Sequence, residues 1–133
     1  MRFLARLGFV FAICVAISAC SSGPRMVKIT GTLKTNDKPL KIDSNGSVTV
    51  IFSPIVEKDA HFTTYTGIYR TEDPTFVINE IPEGKYKVSL LCMVLEQTRE
   101  IQDINEKFSA QNTPIVREVK GGIEPLVIDL AKP

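Results

Sequence analysis

A chain of 133 residues has the length of one domain. Its make-up, 44% hydrophobic and 23% charged, is that of a folded globular chain and not of a disordered one. Sixteen basic residues against fifteen acidic ones give a net charge of +1, which excludes the basic field that nucleic-acid binding draws on.

The chain opens like an export signal. Arg2 and Arg6 precede an apolar run at 7–19 that ends in small residues. As a helix that run would span ~20 Å, short of the ~30 Å hydrocarbon core, so it reads as a helical signal peptide, residues 1–19, and not as a stable span. The "ISAC" that follows, residues 17–20, resembles a bacterial lipobox. The resemblance implies that Cys20 becomes the mature N-terminus, its sulfur carrying a diacylglyceryl thioether and its amine acylated, commonly with palmitate. Two or three acyl chains at ~0.8 kcal/mol per buried methylene would hold the protein on its membrane. Ser21 after the lipidated cysteine favours the outer membrane among the membranes of the cell envelope. Residues 20–25 then form a short lipidated tether, and 26–133 the domain proper.

Three cysteines are present, of which Cys14 leaves with the signal and Cys20 is consumed by lipid. Cys92 has no partner within the mature chain, so no internal disulfide is expected. It stands in "SLLCMVL", the setting of a buried, inert thiol. With His61 the single histidine, no metal site is expected.

From residue 26 the hydrophobic period is two. In "MVKITGTLK" (26–34) Val27, Ile29 and Leu33 share one face, and "NDKPL" follows as a turn. A second turn, "SNG" (44–46), leads into "SVTVIFS" (47–53), with Val48, Val50 and Phe52 inward and Pro54 at its close. "HFTTYTGIYR" (61–70) and "TFVIN" (75–79) are rich in threonine, aromatic and branched residues. "KYKVSLLCMVL" (85–95) is the longest run, and "PIVREVK" (114–120) and "PLVIDL" (125–130) are split by Gly121 and Gly122. One segment departs from this period: "REIQDINEKF" (99–108) carries Ile101, Ile104 and Phe108 at helical spacing. The predicted fold is all-β, a seven-strand antiparallel β-sandwich of transthyretin-like or Ig-like type, with one short helix at 99–108.

Before the longest strand stands "IPEGKYKV" (81–88). Pro82 fixes the dihedral entering the turn, Gly84 supplies a positive one, and Tyr86 buries its ring while its hydroxyl reaches backbone near the turn. Lys85 and Lys87 face water. Together with "VKITGTLKTNDKPL" and "REVKGGIEPLVIDL", this stretch resembles small bacterial lipoproteins built on a carboxypeptidase regulatory-like domain. The resemblance covers roughly residues 26–131 and implies a prealbumin-type sandwich that acts as a noncatalytic module. The chain departs from the family in two places: the glycine of the first turn is Asp37, and the glycine expected before Phe76 is absent from "EDPT".

An enzymatic role lacks its parts. There is no nucleophile motif, no phosphate loop, and no counterpart of the histidines and C-terminal Tyr-Arg-Gly-Ser of the hydroxyisourate-hydrolysing branch of that fold. No cofactor is implied. Glu57, Asp59, Glu72 and Asp73 lack a calcium-loop pattern and read as solvated. His61, Tyr65 and Tyr69 recur at even spacing and would make an aromatic platform for a carbohydrate, the rival to a role in contacting an envelope protein. The period also leaves Leu91, Met93 and Leu95 opposite the core face of the long strand. Either Ile101, Ile104 and Phe108 fold back as a lid over them, or the patch stays open for a partner.

Overall fold

The computed structural model describes residues 23–56, 63–122 and 125–133. The signal segment, Cys20 and Ser21 lie outside the described residues, as do Glu57, Asp59 and His61. Strand β1, Met26–Thr35, buries Ile29 and Leu33 and leaves the alternating lysines and threonines outward or half-buried. It ends in a two-residue hairpin turn: Asn36 and Asp37 both take positive φ, 52° and 64°, as type I′ turns require. The left-handed conformation is held from outside, because the Asp129 carboxylate accepts hydrogen bonds from the Asn36 and Asp37 amides, each at 3.3 Å. The Ala131 amide, with those two, holds the Asp129 carboxyl below its usual pKa.

The chain returns as β2, Lys38–Pro39, and turns again where the Gly46 amide donates to the Asp43 carbonyl. Strands β3 (Ser47–Pro54), β4 (Tyr65–Tyr69), β5 (Phe76–Pro82) and β6 (Gly84–Met93) follow. Helix α1, Arg99–Lys107, starts at Thr98, whose side chain accepts from the Ile101 amide. Strands β7 (Val116–Val119) and β8 (Leu126–Asp129) complete the described elements.

Two sheets result. One has the order β2-β1-β5, with β8 on the other edge of β1; the second has the order β4-β3-β6-β7. They meet through Phe52 and Phe76, whose ring centroids are 6.1 Å apart, in a core that also takes in Leu33, Val50, Tyr69, Val88 and Ile128. Between Pro82 and Gly84 the chain steps from the first sheet to the second, with Gly84 at φ 154°.

The sandwich-like, mainly antiparallel arrangement matches the alternation in the sequence, and two details correct it. The strand count among the described residues is eight, not seven, because Lys38 and Pro39 pair back on Thr35 and Lys34. The sheets are also not wholly antiparallel, since β8 runs parallel to β1 from Gly31↔Leu126 to Lys34↔Asp129. Alternation reports which face a residue occupies and carries no strand direction; only a tight hairpin forces antiparallel pairing, and β8 reaches β1 from the other sheet without one.

Candidate functional site

Strand β6 is apolar on both faces at its C-terminal end. Tyr86, Val88, Leu90 and Cys92 are buried between the sheets, as the period predicts, while Leu91 and Met93 point outward and are 47% and 59% exposed. Register builds the patch around them. Thr49 of β3 pairs with Leu91 on one side and with Ile68 of β4 on the other, and Ile68 is 56% exposed. Ser47 pairs with Met93, and half-buried Ile51 pairs with Ser89 and Thr66. Leu95, just past the strand, is 81% exposed. Beside Ile51, the Ser89 hydroxyl is buried without a hydrogen-bond partner. The outer face of the second sheet thus carries a hydrophobic strip interrupted only by hydroxyls.

Helix α1 does not cover this strip, so the expectation of an internal lid is corrected. Ile101 and Phe108 turn into the core, Ile104 packs against it, and the helix lies along the edge of β6. The cause is polar. Strand β7 pairs with β6 only from Gly84 to Lys87, leaving the edge groups of residues 88, 90 and 92 without a neighbouring strand. The segment after β6 supplies their partners: Val88 donates to the Ile115 carbonyl at 2.9 Å, Leu90 to the Phe108 carbonyl at 2.8 Å, and Thr113 donates its hydroxyl to the Val88 carbonyl. Asn105 serves both the amide and the carbonyl of Cys92. A buried edge left unpaired costs more than an exposed patch, and the helix is seated accordingly.

The aromatic platform is also corrected. Tyr69 is fully buried, its hydroxyl 2.8 Å from the Leu40 carbonyl and 3.3 Å from that of Leu33, and burial raises its pKa. Tyr65 is half-buried and meets Tyr86 edge-on at 6.1 Å. The tyrosines of β4 therefore face the core, and its outward residues are Thr66 and Ile68. Even spacing in "YTGIY" leaves the choice of face open, and Gly67 between the tyrosines is the discriminating signal. It is buried, and an added Cβ would lie 3.1 Å from both the Phe76 ring and the Val77 carbonyl. Ile68 as a neighbour of Leu91 is legible only once the β3 register is known.

The turn residues stand as the sequence implies: Tyr86 is buried and its hydroxyl donates to the Pro82 carbonyl at 2.6 Å. Burial, then the proximity of Tyr65, raises its pKa. Cys92 is a free buried thiol pushed up to about 11 by desolvation, the opposite of an activated nucleophile. Glu72 and Asp73 are exposed, and among the described residues no three His, Cys, Asp or Glu side chains cluster to hold a metal. Beside α1 an open groove of about 370 Å³ has Ile104, Phe108 and Leu130 in its lining and Arg99, Asp103 and Lys107 around them. No described helix is long and apolar enough to cross a membrane. No protein-family model, curated protein or solved structure matches the chain significantly.

Proposed function

We propose that this protein is a noncatalytic module of the cell envelope, anchored in a membrane through acyl chains on Cys20, that docks another envelope protein on the outer face of β6. The observation carrying the docking role is the open strip of Ile68, Leu91 and Met93, on a strand whose opposite face is fully engaged in the core. Apolar side chains in such a row are the make-up of an interface centre. The anchor rests on the lipobox-like "ISAC" and the outer-membrane destination on Ser21. A carboxypeptidase regulatory-like ancestry is part of the same reading, supported by the "IPEGKYKV" corner in which Tyr86 closes onto Pro82. Tyr69 is buried and Tyr65 turns towards the core, so the outer face of β4 lacks the tyrosines of a glycan platform.

Two substitutions test the proposal. Cys20→Ala should abolish acyl labelling and release the protein from the membrane fraction; equal membrane retention would defeat the anchor. Met93→Glu, at an exposed position, should alter stability by no more than about 0.5 kcal/mol while removing a partner captured by crosslinking in intact cells. An unchanged crosslinking pattern in a normally folded Met93→Glu protein would defeat the docking face.

A further inference from the structure

An acyl anchor on Cys20 would set which surface of the domain meets the membrane. Cys20 and Met26 are separated by six peptide steps, so the extended tether reaches no more than about 20 Å. The domain is pinned from Arg25 onward: the Arg25 carbonyl accepts from the Glu83 amide at 2.9 Å, and Met26 pairs with Pro82. Arg25 and Met26 therefore sit at the corner where β5 passes into β6. The opposite end of β6, with Met93, lies ten residues along, about 30 Å away at ~3.3 Å per residue. An acylated Cys20 holds the corner against the bilayer and leaves the strip near Met93 turned away from it.

Three apolar side chains meet solvent at this corner. The Ile55 amide donates to the Lys85 carbonyl at 3.1 Å, which fixes Ile55 at this end. Met26, Ile55 and Val56 are each about half exposed. Arg25 and Lys85 beside them are exposed cations of the kind that meet lipid phosphates, while the Glu83 carboxylate is turned onto the Gly121 amide at 2.8 Å. We propose that Met26, Ile55 and Val56 form a bilayer-contact face that seats in the headgroup region of a phospholipid membrane and fixes the orientation of the domain. This assignment rests on the acyl anchor and is separable from it by experiment.

The full-length lipidated protein is placed in vesicles of phosphatidylethanolamine and phosphatidylglycerol containing brominated acyl chains. An environment-sensitive fluorophore is attached at Ile55→Cys or, in a second preparation, at Leu95→Cys. Cys92 is buried and stays unlabelled. Bromolipid should quench the label at position 55 roughly threefold more than the label at 95, since interfacial apolar groups sit ~5–10 Å into the headgroup boundary. Equal quenching at both positions in a protein whose Cys20 carries acyl mass overturns the contact face and leaves the anchor standing. Absence of acyl mass on Cys20 overturns both.

Discussion

Asn105 grips Cys92 at two points, its Oδ1 accepting from the Cys92 amide at 2.7 Å and its Nδ2 donating to the Cys92 carbonyl at 3.1 Å. The carboxamide stands in for a residue of a neighbouring strand and ties α1 to the edge of β6. Asn105→Ala should cost about 2–3 kcal/mol, since it leaves a partly buried amide and carbonyl without partners. Asn105→Asp should cost at least as much, because its second oxygen then faces the Cys92 carbonyl. Urea denaturation measures both, and an unmoved midpoint for the alanine variant would show that the clamp contributes nothing net.

Tyr69 and Tyr86 each spend a hydroxyl on backbone carbonyls, in different surroundings. Tyr69→Phe strands the Leu40 carbonyl in a fully buried setting, while the Leu33 carbonyl keeps the Leu40 amide, and should lose about 1–3 kcal/mol. Tyr86→Phe breaks one partly buried bond to Pro82 and should lose about 1 kcal/mol. Calorimetry should rank their thermal midpoints in that order; the reverse ranking would mean that the Pro82 corner is the more critical junction.

How far such relationships can be read from sequence depends on what sets them. The inward set of β6, the helix within one residue of its bounds, and the Tyr86 hydroxyl at its own turn are local, and the period and the residue types suffice for them. The seat of α1 is not local. It follows from where β7 stops pairing, which no hydrophobic pattern encodes, so Ile101 and Phe108 read equally well as a lid over Leu91. Ile68 and the buried aspect of Tyr69 likewise depend on the β3–β4 register, and the direction of β8 on a crossover between sheets.

Gly31 lies against Phe76 so closely that an added Cβ would fall 2.3 Å from the ring Cζ and 2.6 Å from Cε1. Gly31→Ala should therefore cost about 1–3 kcal/mol, as overpacking does, or more if the ring cannot shift. The double variant Gly31→Ala with Phe76→Leu should be more stable than the sum of the two single losses implies, because trimming the ring makes room for the methyl. Strict additivity in denaturant melts would place the strain elsewhere.

Alkali should destabilise the fold in a defined window. The Cys92 thiol, ordinarily at 9.0, is pushed up to about 11 by burial, so the unfolded chain releases this proton first as pH rises. Its contribution is complete below pH 9 and is lost as pH climbs towards about 11, on the order of 2–3 kcal/mol in all. The raised tyrosines Tyr69 and Tyr86 add to the loss above pH 10, in the same direction. Cys92→Ala, less stable at neutral pH for its small cavity, should show a flatter stability profile between pH 9 and 11; parallel profiles would assign the alkaline loss to the tyrosines. Reductant should leave the thermal midpoint of the wild type unchanged.

The parallel contact of β1 with β8 makes the first and last described strands neighbours, and Asn36 and Asp129 meet across 93 positions of chain. Closing a loop of that size costs about 4 kcal/mol of chain entropy, with no local hairpin to offset it in stages. Ile128 and Leu130 join the core, and the I′ turn gains its carboxylate, only when the final strand arrives. A nascent chain lacking its last ten residues is thus denied both the edge partner of β1 and the support for its first turn. Completion of this sheet therefore waits until β8 has been made and has crossed to β1.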